Sequence, residues 1–122
     1  MTEQTIQSYK DLIVWQKAVE LSVLMYELTE KFPQSEIYGL TSQMRRAAVS
    51  IASNIAEGSR RGTKKDFRQF LLIAYGSGAE LETQIMIAKK LSFGITFEST
   101  KVDAILEEVM RMLNTLISKL RM

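Results

Sequence analysis

Residues 38–70 read YGLTSQMRRAAVSIASNIAEGSRRGTKKDFRQF. Within them Leu40, Met44, Ala47, Ile51 and Ile55 recur at intervals of three and four, the rhythm of a single helix face. Gly58 follows at a position suited to a left-handed helix stop. A basic turn comes next, carrying Arg60, Arg61, Lys64, Lys65 and Arg68. Thr63-Lys-Lys-Asp66 predicts a helix restart. The threonine oxygen can accept from free backbone amides while the aspartate reaches back to the cap.

The same rhythm extends on both sides. Val14, Ala18, Leu21, Met25, Leu28 and Phe32 form one stripe, stopped by Pro33, the only proline. Phe67, Leu71, Ala74, Gly78, Leu81, Ile85 and Ala88 form another, with Gly94 as its stop. Val102, Leu106, Val109, Leu113, Leu116 and Leu120 form a fourth, and Thr100-Lys-Val-Asp103 reads as its cap. No strand-like alternation persists. The expectation is all-α: an antiparallel up-down-up-down four-helix bundle in a single domain spanning residues 1–122, with helices at roughly 11–32, 36–58, 63–92 and 98–120.

Composition narrows the chemistry. The 122 residues contain no cysteine and no histidine. Disulfides, thiolate nucleophiles, imidazole metal sites and Ser–His or Cys–His catalysis are therefore excluded. The start, MTEQTIQSYKD, has no apolar core of an export signal, and the longest apolar run, residues 70–75, is far too short to span a bilayer. A cytoplasmic protein without a membrane partner is expected.

The net charge is +2, unevenly placed. Residues 1–30 sum to −3 and residues 45–68 to +5. Such a local excess of cations reads either as a phosphate-binding patch or as a solvated turn. Arg60, Arg61, Lys64, Lys65 and Arg68 are the nucleic-acid-binding candidates, and replacing all five is expected to leave the oligomer intact because they lie on or beside an exposed turn.

Apolar residues exceed what four core seams need. Residues 70–75, FLLIAY, are apolar right around a helix, and Ala79 and Met86 continue a second stripe. Ala48, Val49, Ala52 and Ala56 form a second stripe on the preceding helix; Leu12, Trp15 and Val19 lie off the first seam. Self-association is expected, with Ala48, Val49, Ala52, Ala56, Leu72, Tyr75 and Ala79 as interface candidates. A generous monomer core is the alternative.

Other features have structural readings. Arg45 and Arg46, inside the alanine-rich helix, are expected to pair with carboxylates such as Glu57, Glu80 or Glu82. Asn54, flanked by Ile51 and Ile55, reads as a buried register-setting asparagine. Glu57, Glu80 and Glu82 lack the Glu-x-x-His partners of a bundle metal site. Gly76 and Gly78 interrupt a helix where each costs roughly 0.5–1 kcal/mol, so a close helix crossing is expected there. The seven methionines read as core filler.

Taken together, DLIVWQKA at residues 11–18, FP at 32–33, the block YGLTSQMRRAAVSIASNIAEG, the basic turn and FLLIAYGSGAELETQ at 70–84 resemble the bacterial 23S ribosomal RNA intervening-sequence protein family over about residues 9–120. The resemblance implies a four-helix bundle that assembles into a homopentameric ring. A related family, the accessory variability proteins of diversity-generating retroelements, shares the bundle; its basic pentamers bind nucleic acid and a reverse transcriptase.

The functional expectation is a non-enzymatic homo-oligomer, a pentamer by resemblance, that binds RNA or DNA through the turn between the second and third helices. The alternative is a scaffold or adaptor ring that presents its surface to a protein partner such as a reverse transcriptase. No catalytic residue, metal ligand or cofactor is expected.

Overall fold

A computed structural model describes residues 8–91 and 98–121. Four helices account for most of them: α1 (Ile13–Thr29), α2 (Leu40–Arg60), α3 (Lys64–Leu91) and α4 (Thr100–Lys119). Short 3-10 turns, Tyr9–Asp11 and Gln34–Glu36, precede α1 and α2. Among the described residues there is no strand.

Side-chain contacts fix the topology. Arg45 near the start of α2 bonds Thr29 at the end of α1, whereas Arg60 at the end of α2 lies over the Tyr9 ring before α1. Gly58 on α2 meets Phe67 and Phe70 at the start of α3. Arg68 early in α3 reaches Ile117 late in α4, while Lys89 late in α3 pairs with Asp103 early in α4. Lys17–Glu108, at 2.8 Å, ties α1 to α4. Each helix thus runs antiparallel to its two neighbours in an up-down-up-down bundle.

The stripes read from the sequence form the core. Val14, Ala18, Leu21, Met25, Leu28 and Phe32 are all buried, as are Met44, Ala47, Ile51 and Ile55 from α2. From α3 come Leu71, Ala74, Leu81, Ile85 and Ala88. Full burial of each large apolar side chain stabilises by about 1.5–3 kcal/mol. The fourth stripe is displaced at its end: Ile105 and Ile117 are buried, while Leu116 and Leu120 are only partly covered.

Several boundaries differ from expectation. α1 ends at Thr29 rather than residue 32, because Pro33 disfavours the α conformation in Phe32. Lys31 and Phe32 then make tightened bonds to Leu28 O and Thr29 O, and Phe32 folds back into the core. α2 begins at Leu40, whose N–H is accepted by Glu36 Oε1 at 3.3 Å. Gly58 is not the helix stop. α2 continues to Arg60, and the left-handed residue is Gly62, with φ of 91°. Thr63 does cap α3, its Oγ1 accepting from Asp66 N at 3.1 Å. The α4 cap lies at Ser99, one residue before the expected threonine, and its hydroxyl donates to Asp103. The Gly94 stop lies outside the described residues.

Candidate nucleic-acid interface

The antiparallel topology brings three separate segments to one end of the bundle. The α2–α3 connection supplies Arg60, Arg61, Lys64, Lys65 and Arg68; the turn before α1 supplies Lys10; the end of α4 supplies Lys119 and Arg121. Among the described residues Asp11, Glu57 and Asp66 stand against these eight cations, leaving +5. The sequence excess at 45–68 is therefore not one patch. Arg45 and Arg46 lie four turns back along α2, on the order of 22 Å away at 1.5 Å per residue. Lys10, Lys119 and Arg121 take their place. Only the antiparallel return of α4 could have identified the last two.

The five cations expected at the turn differ in their surroundings. Arg60 lies over the Tyr9 ring at 5.2 Å, and Tyr9 in turn packs edge-on against Trp15. Arg61 makes a 2.6 Å ion pair with Glu57 and lies 4.9 Å from the Phe70 ring centre. Such contacts place guanidiniums without removing them from water, so both remain available to an incoming phosphate. Lys64 and Lys65 are exposed, with no hydrogen-bond or ion-pair partner among the described residues. Arg68 is half-buried. Its Nε donates to Ile117 O at 3.2 Å, a second donor beside the Leu120 N–H on that carbonyl in the last turn of α4. Arg68 therefore differs from the other four expected cations: it also joins α3 to α4.

The remaining candidates sort by contact. Arg45 pairs with no carboxylate among the described residues. Its Nε donates to Thr29 Oγ1 at 2.8 Å and its guanidinium stacks over Tyr26 at 4.5 Å, clamping α1 to α2. Arg46, Glu80 and Glu82 are exposed. Asn54 is half-buried, and its Nδ2 donates to Ser50 O and Ser50 Oγ within the same helix, so it sets no register itself. The link across α2 and α3 is Ser50 to Ser77 at 2.9 Å. Gly78 is buried beneath the Met110 thioether, whereas nothing approaches Gly76.

Two apolar faces remain uncovered by the described residues. On one, Val19, Val23 and Tyr26 of α1 lie beside Val49, Ala52 and Ala56 of α2, at the register set by Arg45–Tyr26 and Arg60–Tyr9. On the other, Leu72, Ile73, Ala79, Met86 and Ile87 cover the side of α3 that turns away from the core. Of the interface candidates, Val49, Leu72 and Ala79 are exposed on these faces, Ala56 is half-buried at the edge of the first, and Ala52 is half-buried against the core. Tyr75 is half-buried against the core. Ala48 is a correction: it is fully buried within the chain and has no surface to offer a second copy.

A family model described as 23S rRNA-intervening sequence protein matches residues 10–115. The chain belongs to the 23S rRNA-intervening sequence protein family. The match runs through all four helices, and of the eight cations at the basic end only Lys119 and Arg121 fall beyond it. A comparison with curated proteins finds no match. No helix among the described residues is long and apolar enough to cross a membrane.

Proposed function

We propose that this member of the intervening-sequence family is a non-enzymatic ring of identical subunits, five by the expectation from the family resemblance, that binds the phosphates of RNA or DNA across its basic end. The carrying observation is the gathering of eight cations from three segments at one end of the bundle. Neutralising phosphates with lysine and arginine releases condensed counterions, and a ring repeats the charge in every subunit. Phe67 and Phe70 are half-buried between α2 and α3, so few rings stand free to stack on bases. Phosphate-level, sequence-independent binding follows.

The test is the salt dependence of binding to structured RNA and duplex DNA. Glutamine at Arg60, Arg61, Lys64, Lys65 and Arg121 is expected to leave the fold and assembly intact, since Arg68 keeps its bond to Ile117 O. The slope of log affinity against log salt should shrink by about 0.9 for every duplex-DNA phosphate that the variant no longer neutralises. No binding at about 50 mM salt, or an unchanged slope, rejects the proposal.

A second reading rests on the opposite end, where Ile37 is 43% and Tyr38 95% exposed in the α1–α2 connection. An aromatic tip of this kind suits a protein partner such as a reverse transcriptase, making the ring an adaptor. Loss of partner capture on Tyr38→Ala, with nucleic-acid binding absent in the parent protein, selects that reading.

A further inference from the structure

The cations at the basic end are not evenly spread. Lys65, Arg68 and Gln69 of α3 and Arg121 beyond α4 line one open cavity of about 500 Å³. Among the described residues neither a carboxylate nor an aliphatic side chain lines it, so three positive charges share the space with a single amide. Like charges gathered around a common volume repel one another, and an anion between them turns that repulsion into attraction.

The lining is also partly preset. Arg68 is half-buried, with Nε fixed on Ile117 O, so the direction of its remaining N–H groups is constrained by a bond made within the fold. Lys65 has no partner among the described residues to compete for it. A planar guanidinium matches pairs of phosphate oxygens, and an ammonium adds a mobile point charge. The cavity is wider than one phosphate, leaving room for the adjoining chain of a diphosphate or a nucleic-acid backbone.

We propose that the cavity between Lys65, Arg68, Gln69 and Arg121 seats a phosphoryl group, with both guanidiniums and the lysine on its oxygens and the Gln69 amide donating to it. The proposal rests on the phosphate-binding reading above and narrows it: a strand crosses the bundle end at the α3–α4 seam. The phosphoryl group can come from a polynucleotide backbone or from free polyphosphate, and the test separates these sources.

Amide resonances of the full chain are followed during titration with inorganic pyrophosphate and, separately, with a single-stranded RNA of about 20 nucleotides, enough to cover the bundle end. Arg121→Gln and Lys65→Gln are compared with Lys64→Gln, an exposed cation of the same turn that does not line the cavity. Pyrophosphate is expected to move the amides of residues 65–69 and 119–121. Arg121→Gln should weaken it roughly tenfold, as expected for removing one charge-assisted hydrogen bond, while Lys64→Gln changes it less than about twofold. Failure of both ligands to move these amides overturns the proposal, as does equal weakening by Lys64→Gln. If RNA binds but ignores Arg121 and Lys65, the cavity is refuted and the basic-end reading stands. If pyrophosphate binds with full dependence on Arg121 while RNA does not bind, the source is free polyphosphate and the nucleic-acid reading falls.

Discussion

Gly58, Gly62 and Gly78 occupy one chain for three different physical reasons. A Cβ on Gly58 would stand 2.5 Å from Phe70 Cβ and 3.3 Å from Phe67 O, atoms that move only if α3 moves. A Cβ on Gly78 would meet the Met110 thioether, which can swing aside. Gly62 has open space around it but needs its positive φ. Urea denaturation is therefore expected to show Gly58→Ala losing about 1–3 kcal/mol or more, and Gly78→Ala clearly less. Gly78→Leu should exceed the Gly58 cost, since Met110 cannot make room for four carbons. Equal costs for the two alanines would mean that α2 and α3 are not in rigid contact. The spacing predicts Gly78 as a close crossing and Gly58 as a stop. Spacing alone cannot separate a glycine that turns the chain from one that admits a neighbour, because both follow an apolar stripe.

Among whole elements, legibility follows locality. The four helices and nearly all their core faces are readable because period and burial are properties of a single segment: Leu21, Ile51, Leu81 and Val109 each lie where their stripe puts them. Partners across helices are not readable. Arg45, expected on a carboxylate, instead holds Thr29 and Tyr26, and Arg121 joins Arg68 only through the return of α4. Caps are partly readable. Thr63 forms the expected bond to Asp66 N, so Thr63→Ala should cost about 0.5–2 kcal/mol in denaturant melts. At α4, Glu98 accepts from both the Thr100 hydroxyl and the Thr100 N–H, and these bonds hold its carboxyl below the usual value of 4.5. A lowered carboxylate pKa contributes stability above 4.5 that is lost as pH falls through the folded value. Acidification below 4.5 is accordingly expected to lower the protection of amides in the first turn of α4, measured against their intrinsic exchange rate at the same pH. Glu98→Ala should produce the same fraying at neutral pH. A protection factor in that turn that ignores both pH and the substitution would show that Glu98 does not hold it.

In the molecule as a whole, the uncovered faces are unlike one another: an α1–α2 face of valines, a tyrosine and small residues, and a bulkier face on α3. Contact between unlike faces is head-to-tail and closes into a ring when the rotation allows. Light scattering at micromolar concentration is expected to give a multiple of 13.9 kDa, with five as the proposed number. Leu72→Glu or Met86→Glu should shift the mass towards the monomer while leaving helicity unchanged, since both residues point away from the core. A monomer throughout the concentration range would leave the two faces without an occupant and reject the ring.

The bond from Arg68 to Ile117 O has a consequence for motion. α2 and α3 are locked by Gly58 and by Ser50–Ser77, and they share the most extensive packing in the bundle, whereas α4 packs more sparsely against α3. The last turn of α4 is thus the natural place for local opening, and the α2–α3 pair should be the last to exchange its amides with solvent. Arg121 swings away whenever that turn opens, so an anion bound at the seam favours the closed state and slows fraying of α4. By reciprocity, any change that loosens the turn weakens the anion's hold by the same free energy. The strength of binding at the basic end is then a gauge of how tightly the bundle keeps its fourth helix.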